Sequence, residues 1–456
     1  MLGMKPMARN LHGVIWTRIS GQPEKMGDLV LTSEMASFTY TREYLDSGQP
    51  GFCLLGDGAI WGADSVTYPV SERIPVFPRL LALIPGNNPR NLQRRHYLDL
   101  LRTQTGREPP PGMETEWRLL LMGGHGGVGH VDVFADDLAA EQWYRHQPGA
   151  SSQTEGNGQS QLWRMIKRNV LDENLDFDPQ IIEQTLGPTP SVGGMIPKLL
   201  VAIEPDTAPL RFHPPDTPGM TNVVLKIEPP EYTGLLDLEA LCLDIHRQAG
   251  FRVPAWRRID QGGLRFLAVE RFDENGEIPI PMESLFSVIA TGDHQFRETG
   301  DIMLDELGGI LERLATIATL EEGASEHLYR RLLMALLTGN GDLHLDNLAF
   351  LGGLDDCCWT PVYDPAPMRA WPRHNLVSAI PFDASQYEDH AAFFIDMGGS
   401  FSLSDAQIRH CVQAALDATE DYAAQVVALK QVPEQQRWQL REIARQERAL
   451  LKNQVT

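Results

Sequence analysis

The segment that most constrains the fold is GNGDLHLDNLAF at residues 339–350, a polar stretch enclosed by two apolar runs. The run before it, LYRRLLMALL, predicts a buried helix, and LAFL at its end predicts a short strand. A glycine turn between two buried elements holds polar side chains in fixed positions while leaving them accessible to ligands. The segment therefore predicts a rigid loop with a chemical role.

The spacing of the polar residues favours one kind of chemistry. His344 follows Asp342 by two residues, and Asn347 follows it by five. In protein kinases the catalytic loop has a base aspartate, a cation two residues on and a metal-binding asparagine five residues on. The aspartate accepts the hydroxyl proton, the cation faces the transferring phosphoryl group, and the amide oxygen holds Mg2+. The loop thus predicts phosphoryl transfer with Asp342 as the base.

A second metal ligand is expected close to Asn347. The residues LAFL, GGLDD and CCWTPVYD predict a hairpin whose return strand ends at Asp364. This return brings the Asp364 carboxylate beside Asn347, and Mg2+ prefers oxygen ligands of these two kinds.

A kinase also needs a strand lysine that contacts the nucleotide phosphates and a helix glutamate that holds this lysine. Lys226 lies in the strand-like NVVLKI, where a charged side chain needs a partner. Glu239 follows it on LLDLEALCLDIHRQAG, an amphipathic helix pattern, at the edge of the apolar stripe. The two residues predict the lysine–glutamate pair.

A loop that covers the phosphates should precede this lysine. PSVGGMIPKLLVAI provides Ser191, Gly193, Gly194 and Lys198 directly before a strand. Backbone amides in such a loop can approach phosphate because glycine has no side chain in the way. We therefore expect residues 193–198 to contact ATP.

The remaining pattern gives the organisation of the chain. GDLVLT and ASFTYT predict strands, and WRLLLMGGHGGVGHVDVFAD predicts two strands joined by a glycine-rich turn rather than a phosphate loop. The polar stretch at 146–161 predicts a linker or mobile loop. Beyond it, KLLVAI, NVVLKI and LRFLAVERF predict strands, and the chain is mainly helical after residue 281, with Ser404 capping a long helical region.

Composition excludes several classes of protein. A length of 456 residues predicts two or three domains, and a net charge of -22 argues against tight nucleic-acid binding by the chain itself. The five cysteines are scattered without CxxC spacing, so neither a zinc site nor a disulfide framework is expected. Without a long apolar span or a secretory signal pattern, we expect a cytoplasmic protein that does not associate with membranes.

Several of these segments occur together in the order of one family. SVGGMIPKLL, VVLKI, LEALCLDIHRQAGFRVP, VERFD, GNGDLHLDN and VYDPAP resemble the HipA-like serine/threonine kinases, the toxin halves of bacterial toxin–antitoxin pairs. The resemblance covers about residues 187–420 and extends only loosely to the first 145. It implies an α+β, protein-kinase-like two-lobed fold, with a β-rich N-lobe, a mainly helical C-lobe and an extra N-terminal mixed subdomain.

The resemblance also implies domain boundaries. Residues 1–145 correspond to the family's N-terminal subdomain, and residues 146–161 to the linker. Residues 162–278 correspond to the N-lobe with its glycine-rich loop and hinge, and residues 279–456 to the helical C-lobe with the catalytic loop.

Roles for individual residues follow from the same resemblance. It implies that Asp342 is the catalytic base with His344 near the phosphates, that Asn347 and Asp364 hold Mg2+, that Glu239 orients Lys226, and that Ser191 is autophosphorylated. The residues assigned to ATP are Gly193, Gly194, Met195, Ile196, Pro197, Lys198, Lys226, Glu270, Arg271, Phe272, His344, Asn347, Tyr363 and Asp364. The implied partners are a small DNA-binding, HipB-like antitoxin and a protein substrate, for which aminoacyl-tRNA synthetases are the family's precedent.

One departure and three alternatives remain open. Asp346 stands where many members of the family have lysine, which adds a negative charge near the phosphates. The loop spacing also suits a small-molecule phosphotransferase, and Asp342, His344 and Asp346 could serve a metal-dependent hydrolase. A catalytically silent module that only binds an antitoxin is the third alternative.

Overall fold

The computed structural model describes residues 10–55, 64–87, 91–145, 166, 196–205 and 210–455. Packing divides the chain into two units. The first unit contains Met1–Ile227, Asp273–Met282 and Ala290–Gln295, and the second contains Glu228–Phe272, Glu283–Ile289 and Phe296–Thr456. The predicted linker at 146–161 and the residues Ser191, Gly193, Gly194 and Met195 lie outside the described residues.

The first unit is built on an antiparallel sheet. Its strands are β1 (Leu11–Thr17), β2 (Glu24–Leu31), β3 (Met35–Tyr40), β4 (Ser65–Pro69) and β5 (Asp132–Phe134), in the order β4-β3-β2-β1-β5. Leu29 of β2 lies opposite Phe38 of β3, and both side chains are buried, as the alternating patterns of GDLVLT and ASFTYT require. These two strand predictions are confirmed.

The same unit contains helices and two hairpins. Its helices are α1 (Arg42–Ser47), α2 (Pro78–Leu81), α3 (Leu92–Thr105), α4 (Met113–Gly123) and α5 (Asp137–Arg145). Its hairpins pair β6 (Lys198–Ile203) with β7 (Thr221–Ile227), and β10 (Glu274–Asn275) with β11 (Ile278–Pro279). Strands β6 and β7 confirm the predictions made from KLLVAI and NVVLKI.

The prediction of two strands for WRLLLMGGHGGVGHVDVFAD is wrong in its first half. WRLLLMG belongs to the helix α4, which buries Trp117 and Leu120 on one face, and only β5 is a strand. The periodicity of a short continuous apolar run does not distinguish a helix from a strand, so this sequence pattern could not exclude the helix. The glycine turn between them is held by the chain's own carboxylates, because the Gly126 and Gly129 amides donate to Asp132 and Asp273.

The second unit is mainly helical. Its helices are α6 (Leu235–Gln248), α8 (Leu307–Leu314), α9 (Ala324–Thr338), α10 (His390–Asp396), α11 (Asp405–Ala418), α12 (Tyr422–Ala428) and α13 (Glu434–Val455). Its hairpins pair β8 (Trp256–Gln261) with β9 (Leu264–Glu270), and β13 (Ala349–Leu351) with β14 (Cys358–Trp359). Two further elements, β12 (Met282–Ser284) and α7 (Leu285–Gly292), contain residues of both units.

Local signals account for these elements well. Ser404 caps α11 in a capping box with Gln407, as predicted, and the helix pattern at 235–250 forms α6. The α6 helix differs from its prediction in burial, because Asp237 and Glu239 are buried together with its apolar residues. The architecture is therefore α+β, and in the described part of the chain no helix is long and apolar enough to cross a bilayer.

Candidate active site

The loop after α9 holds its polar side chains on a buried framework. The helix ends at Gly339, which has a φ of 75°, a left-handed conformation that glycine adopts without steric strain. Leu343, Leu345 and Leu348 are buried and fix the loop to the core of the second unit. Asp342 and His344 alternate with these leucines and remain partly exposed, which is the arrangement that the sequence predicted.

Hydrogen bonds within the loop connect Asp342 to Asn347. The Asp342 carbonyl accepts from the His344 amide at 2.8 Å and from the Asn347 side-chain Nδ2 at 3.5 Å, and the Asn347 amide donates to the His344 carbonyl at 3.0 Å. Because Nδ2 of Asn347 is used inside the loop, its side-chain Oδ1 is left to accept from or coordinate a ligand. The loop itself thus orients the amide oxygen.

The predicted hairpin leads from this loop to Asp364. Phe350 pairs with Trp359, and the Thr360 amide donates to the Ala349 carbonyl, after which residues 361–367 belong to no strand or helix. The paired strand therefore ends earlier than predicted. The Tyr363 hydroxyl nevertheless donates to the Asp346 carbonyl at 2.6 Å, so the residues preceding Asn347 and Asp364 are joined.

Asp364 has an uncommon backbone conformation. Its φ is 53°, one of three positive values among the described non-glycine residues. Non-glycine residues in this region are strained by about 1–3 kcal/mol and persist where the surroundings hold them, often at functional sites. The neighbouring Tyr363 is held on two sides, by its bond to Asp346 and by a ring contact with Phe272 of the predicted hinge, 5.5 Å between centroids. Burial raises the pKa of the Tyr363 hydroxyl, which keeps it a neutral donor.

The carboxylate of Asp346 lies at the surface and not inside the loop. Its side chain is 57% exposed, its Oδ2 lies 3.6 Å from Nδ1 of His344, and its Oδ1 accepts from the Ser284 hydroxyl at 3.4 Å. The amide of Asp346 also donates to Nδ1 of His344 at 3.2 Å. Asp346 therefore faces solvent and fixes the His344 ring.

In the second unit, the hinge and helix residues lie as follows. Glu270 ends β9 and is exposed, and Arg271 and Phe272 are half-buried directly after it. Glu239 is fully buried on α6, not at the edge of the helix as expected. Burial, opposed by the hydrogen bond between the thiol and the Tyr422 hydroxyl and assisted by Glu239, raises the pKa of the nearby Cys242 thiol to about 12, so this cysteine stays protonated.

The first unit contains the two predicted lysines. Lys198 of β6 and Lys226 of β7 are direct cross-strand partners, and each is at most 6% exposed. Opposite residues in an antiparallel pair project from the same face, so the two lysine side chains share one side of the hairpin. The hairpin is anchored at Pro197, whose carbonyl accepts from the Ile227 amide, and at Lys198, whose carbonyl accepts from Gln93 at 2.8 Å.

Two arginines for which the sequence predicted no role support the loop in the second unit. The fully buried Arg331 of α9 donates from its guanidinium to the Asn347 carbonyl at 3.1 Å, and burial lowers its pKa to about 10. The Arg369 amide donates to the Gly339 carbonyl at 3.2 Å. A charged residue in the apolar run LYRRLLMALL was the available signal for Arg331, whereas Arg369 had none.

Comparison with known proteins identifies the fold and the family. The solved structure of HipA from the Shewanella oneidensis MR-1 toxin–antitoxin system, in complex with HipB and operator DNA, aligns with a TM-score of 0.61 at 16% identity. The alignment covers 96% of this chain and 97% of that one, so the two share a fold. The family profile of the HipA-like C-terminal domain matches residues 190–426, just over half of the chain. This chain belongs to the HipA-like family, and the resemblance inferred from the motifs is confirmed.

Two further proteins match smaller parts of this chain. A Sinorhizobium fredii (strain NBRC 101917 / NGR234) protein named "Putative kinase Y4dM" is 26% identical over 207 residues, which are 42% of this chain and 46% of the relative. This chain thus matches less than half of that protein's length. The proinflammatory kinase CtkA of Helicobacter pylori aligns with a TM-score of 0.40 at 12% identity, over 56% of this chain and 96% of its own.

Proposed function

We propose that this chain is an ATP- and Mg2+-dependent serine/threonine protein kinase of the HipA type, with a two-lobed, kinase-like fold. The observation that carries the proposal is a pair of side-chain to backbone hydrogen bonds in the second unit, which connect Asp342 with Asn347 and the loop with Tyr363, the residue before Asp364. Asp342 and Asn347 are linked within the loop, and Tyr363 links the loop to the strained Asp364. This is the set of base and metal ligands that phosphoryl transfer requires.

The available donors fit Mg2+. No group of three or more His, Cys, Asp or Glu side chains suited to a metal occurs among the described residues. Mg2+ needs no such cage, because it is usually held by one or two protein oxygens together with water and substrate phosphates. The Asn347 amide oxygen and the Asp364 carboxylate meet that need, and the donor set disfavours a zinc-type hydrolase built on Asp342, His344 and Asp346.

The reaction assigns a separate task to each residue. Asp342 accepts the proton of the serine or threonine hydroxyl while the oxygen of that hydroxyl bonds to the γ-phosphorus. At the same time the bond between the γ-phosphorus and the bridging oxygen of ADP breaks. A Mg2+ ion held by Asn347 and Asp364 would neutralise charge on the phosphates. His344, fixed by Asp346, donates toward the transferring phosphoryl group.

The lysine hairpin of the first unit supplies the positive charge. Lys198 and Lys226 project from the same face, so both ammonium groups can bind phosphate oxygens of one nucleotide. The proposed loop at residues 193–198 adds backbone amides, and the hinge at 270–272 holds the adenine. A kinase would use both lysines for phosphate, and a catalytically silent module that only binds an antitoxin remains the alternative that the transfer assay distinguishes.

The partners follow from the family and the charge. The Shewanella HipA structure contains HipB and operator DNA, and we propose a HipB-like antitoxin for this chain. The net charge of -22 leaves DNA binding to that partner. Autophosphorylation of Ser191 would add a charge of about -1.5 to -2 next to ATP phosphates, expel the loop and silence the enzyme.

The proposal is tested by transfer of labelled phosphate. The purified chain is incubated with γ-labelled ATP and Mg2+, with a cell lysate or with small-molecule acceptors, and mass spectrometry locates the phosphorylated residues. We expect labelled protein and phosphorylated Ser191 with the wild type, none with Asp342→Asn, and normal labelling with Asp355→Asn, an exposed aspartate of the β13–β14 turn. Transfer only to small molecules would identify a phosphotransferase of another kind, and no transfer at all would contradict the proposal.

A further inference from the structure

The last helix, α13, lies beyond residue 426, where the match to the family domain ends, yet it contacts the loop that carries Asp342. A Cβ atom added to Gly339 would lie 2.6 Å from the Leu440 side chain and 3.8 Å from that of Ile443, both on α13. Carbon atoms do not approach to 2.6 Å without a shift, so the helix packs directly on the glycine turn that begins the loop.

A second contact joins α13 to the loop through Arg369. The Arg369 amide donates to the Gly339 carbonyl, and its carbonyl accepts from Gln439 of α13 at 3.3 Å. Its side-chain stem lies 3.1 Å from the position of a Cβ on Gly341, the residue directly before Asp342. Arg369 is therefore wedged between the helix and the loop, and its position sets where the loop begins.

The guanidinium of Arg369 is fixed by a buried charge on the same helix. It donates to Oε1 of Glu447 at 2.8 Å, while Oε2 of Glu447 is 2.5 Å from Nε2 of His390 on α10. The Glu447 and Arg369 side chains are only 1% and 8% exposed. A buried carboxylate bonded through both oxygens has little freedom, so this contact transmits the position of α13 to Arg369.

A buried ion pair is weak support for stability, because well-packed apolar residues often serve as well. Its geometric precision is the better reason for its presence here. We propose that Glu447 is a positioning residue, which acts through Arg369 to hold the 339–347 loop, and hence Asp342, in the geometry of phosphoryl transfer. This inference rests on the proposed kinase function.

The contacts predict a loss of turnover without a loss of ATP binding. Misplacement of a reacting group by about 1 Å can lower a rate about a hundredfold, whereas the proposed ATP ligands on the hairpin of the first unit are untouched by this change. In Glu447→Gln we expect kcat to fall at least about tenfold and KM for ATP to stay within about twofold. Amide hydrogen exchange of residues 339–347 should become faster in the same variant.

Two variants separate positioning from stability. Glu442→Gln is the matched control, because Glu442 lies on the same helix, is 64% exposed and forms ion pairs with Arg441 and Arg445 of that helix. It should leave exchange and kcat unchanged. In the double variant Arg369→Met, Glu447→Met, apolar packing should restore the melting temperature, yet kcat should remain low and loop exchange fast.

The outcomes are distinguishable. Full recovery of kcat in the double variant, or a Glu447→Gln protein with normal loop exchange and normal kcat at a temperature where it is folded, would overturn the positioning role. If the wild type itself transfers no phosphate, the kinase proposal fails. The exchange measurement, which needs no activity, then still decides whether Glu447 holds the loop.

Discussion

In the first unit two cations are gathered on one hairpin, and in the second unit the acidic residues are gathered on one loop and the end of the adjoining hairpin. Lys198 and Lys226 face each other across β6 and β7, whereas Asp342, Asp346 and Asp364 are connected through the backbone of residues 342–347 and through Tyr363. The hairpin thus has donors suited to phosphate, and the loop has oxygen ligands suited to a metal ion.

The two regions also differ in how their positions are fixed. The lysines belong to a regular hairpin, whose register follows from strand pairing alone. The acidic loop depends on contacts from distant parts of the chain, which include Arg331, Arg369 and Tyr363. For the proposed kinase, we therefore expect the hairpin to determine the affinity for ATP and the loop to determine the rate of phosphoryl transfer.

The largest expected effect is on the loop. Asp342→Asn removes the proposed base while keeping the size of the side chain, so kcat should fall by about a thousandfold, within the range of general-base catalysis. Binding of ATP, measured by calorimetry, should stay within about twofold. A variant that loses ATP binding and turnover together would contradict the proposed separation of roles, because the loop would then determine ATP affinity as well as the rate of transfer.

The next effect concerns the metal. Asp364→Ala removes one of two proposed protein ligands of Mg2+, and we expect the Mg2+-dependent part of ATP affinity to weaken about a hundredfold. Titrations with and without Mg2+ measure that part directly. Alanine tolerates the positive φ of this position less well than aspartate, so a small loss of stability is expected, and circular dichroism checks that the variant is folded. Equal Mg2+ dependence in wild type and variant would show that the metal assignment is wrong.

Much of this site could be predicted from the sequence because its signals are local. The loop, the hairpin to Asp364 and the strand of Lys226 each follow from turn residues and apolar periodicity within a few residues. The α4 helix was missed because its apolar run is uniform, and the burial of Glu239 was missed because the surroundings of α6 come from distant segments. The support from Arg369 and Glu447 spans 78 positions of the sequence, which no local pattern encodes.

The hairpin should show the opposite behaviour to the loop. Lys198→Met and Lys226→Met keep the length of the buried stem and remove one charge, so each should raise KM for ATP about tenfold, the value of one charge-assisted hydrogen bond. The change in kcat should be smaller than the change in KM. Gln93→Ala, which removes only a donor to the Lys198 carbonyl, is the control and should affect KM least. A fall in kcat with unchanged KM would contradict the comparison.

Acid should lower the stability of the first unit more than that of the second. Burial lowers the pKa of His96 to about 4 and of His130 to about 3, and also lowers that of His125, whereas the second unit has His246 at about 4 and His327 at about 3. The unfolded chain binds more protons between these values and about 6.5, so stability is complete above pH 6.5 and is lost as the pH falls toward 4.

The additional histidine gives a measurable difference between the units. Inside that window each buried histidine lowers the free energy of unfolding by at most about 1.4 kcal/mol per pH unit, so the first unit should lose stability more steeply than the second. Scanning calorimetry between pH 6.5 and 4.5 measures the two slopes, with the exposed His12→Gln as the control. Equal pH slopes would contradict the expectation.

The smallest effect tests whether the two units unfold separately. Thr41 caps α1 in the first unit by accepting from the Tyr44 amide at 3.2 Å, and Ser404 caps α11 in the second unit by accepting from the Gln407 amide at 3.4 Å. Removal of either cap with alanine should cost about 1 kcal/mol. Because each unit has its own core, we expect two thermal transitions, with Thr41→Ala lowering one midpoint and Ser404→Ala the other. Ser404→Thr, which keeps the hydroxyl, should shift neither. A single transition that both alanine variants lower equally would mean that the lysine hairpin and the acidic loop share one cooperative structure, and the variants described above would then change affinity and rate together.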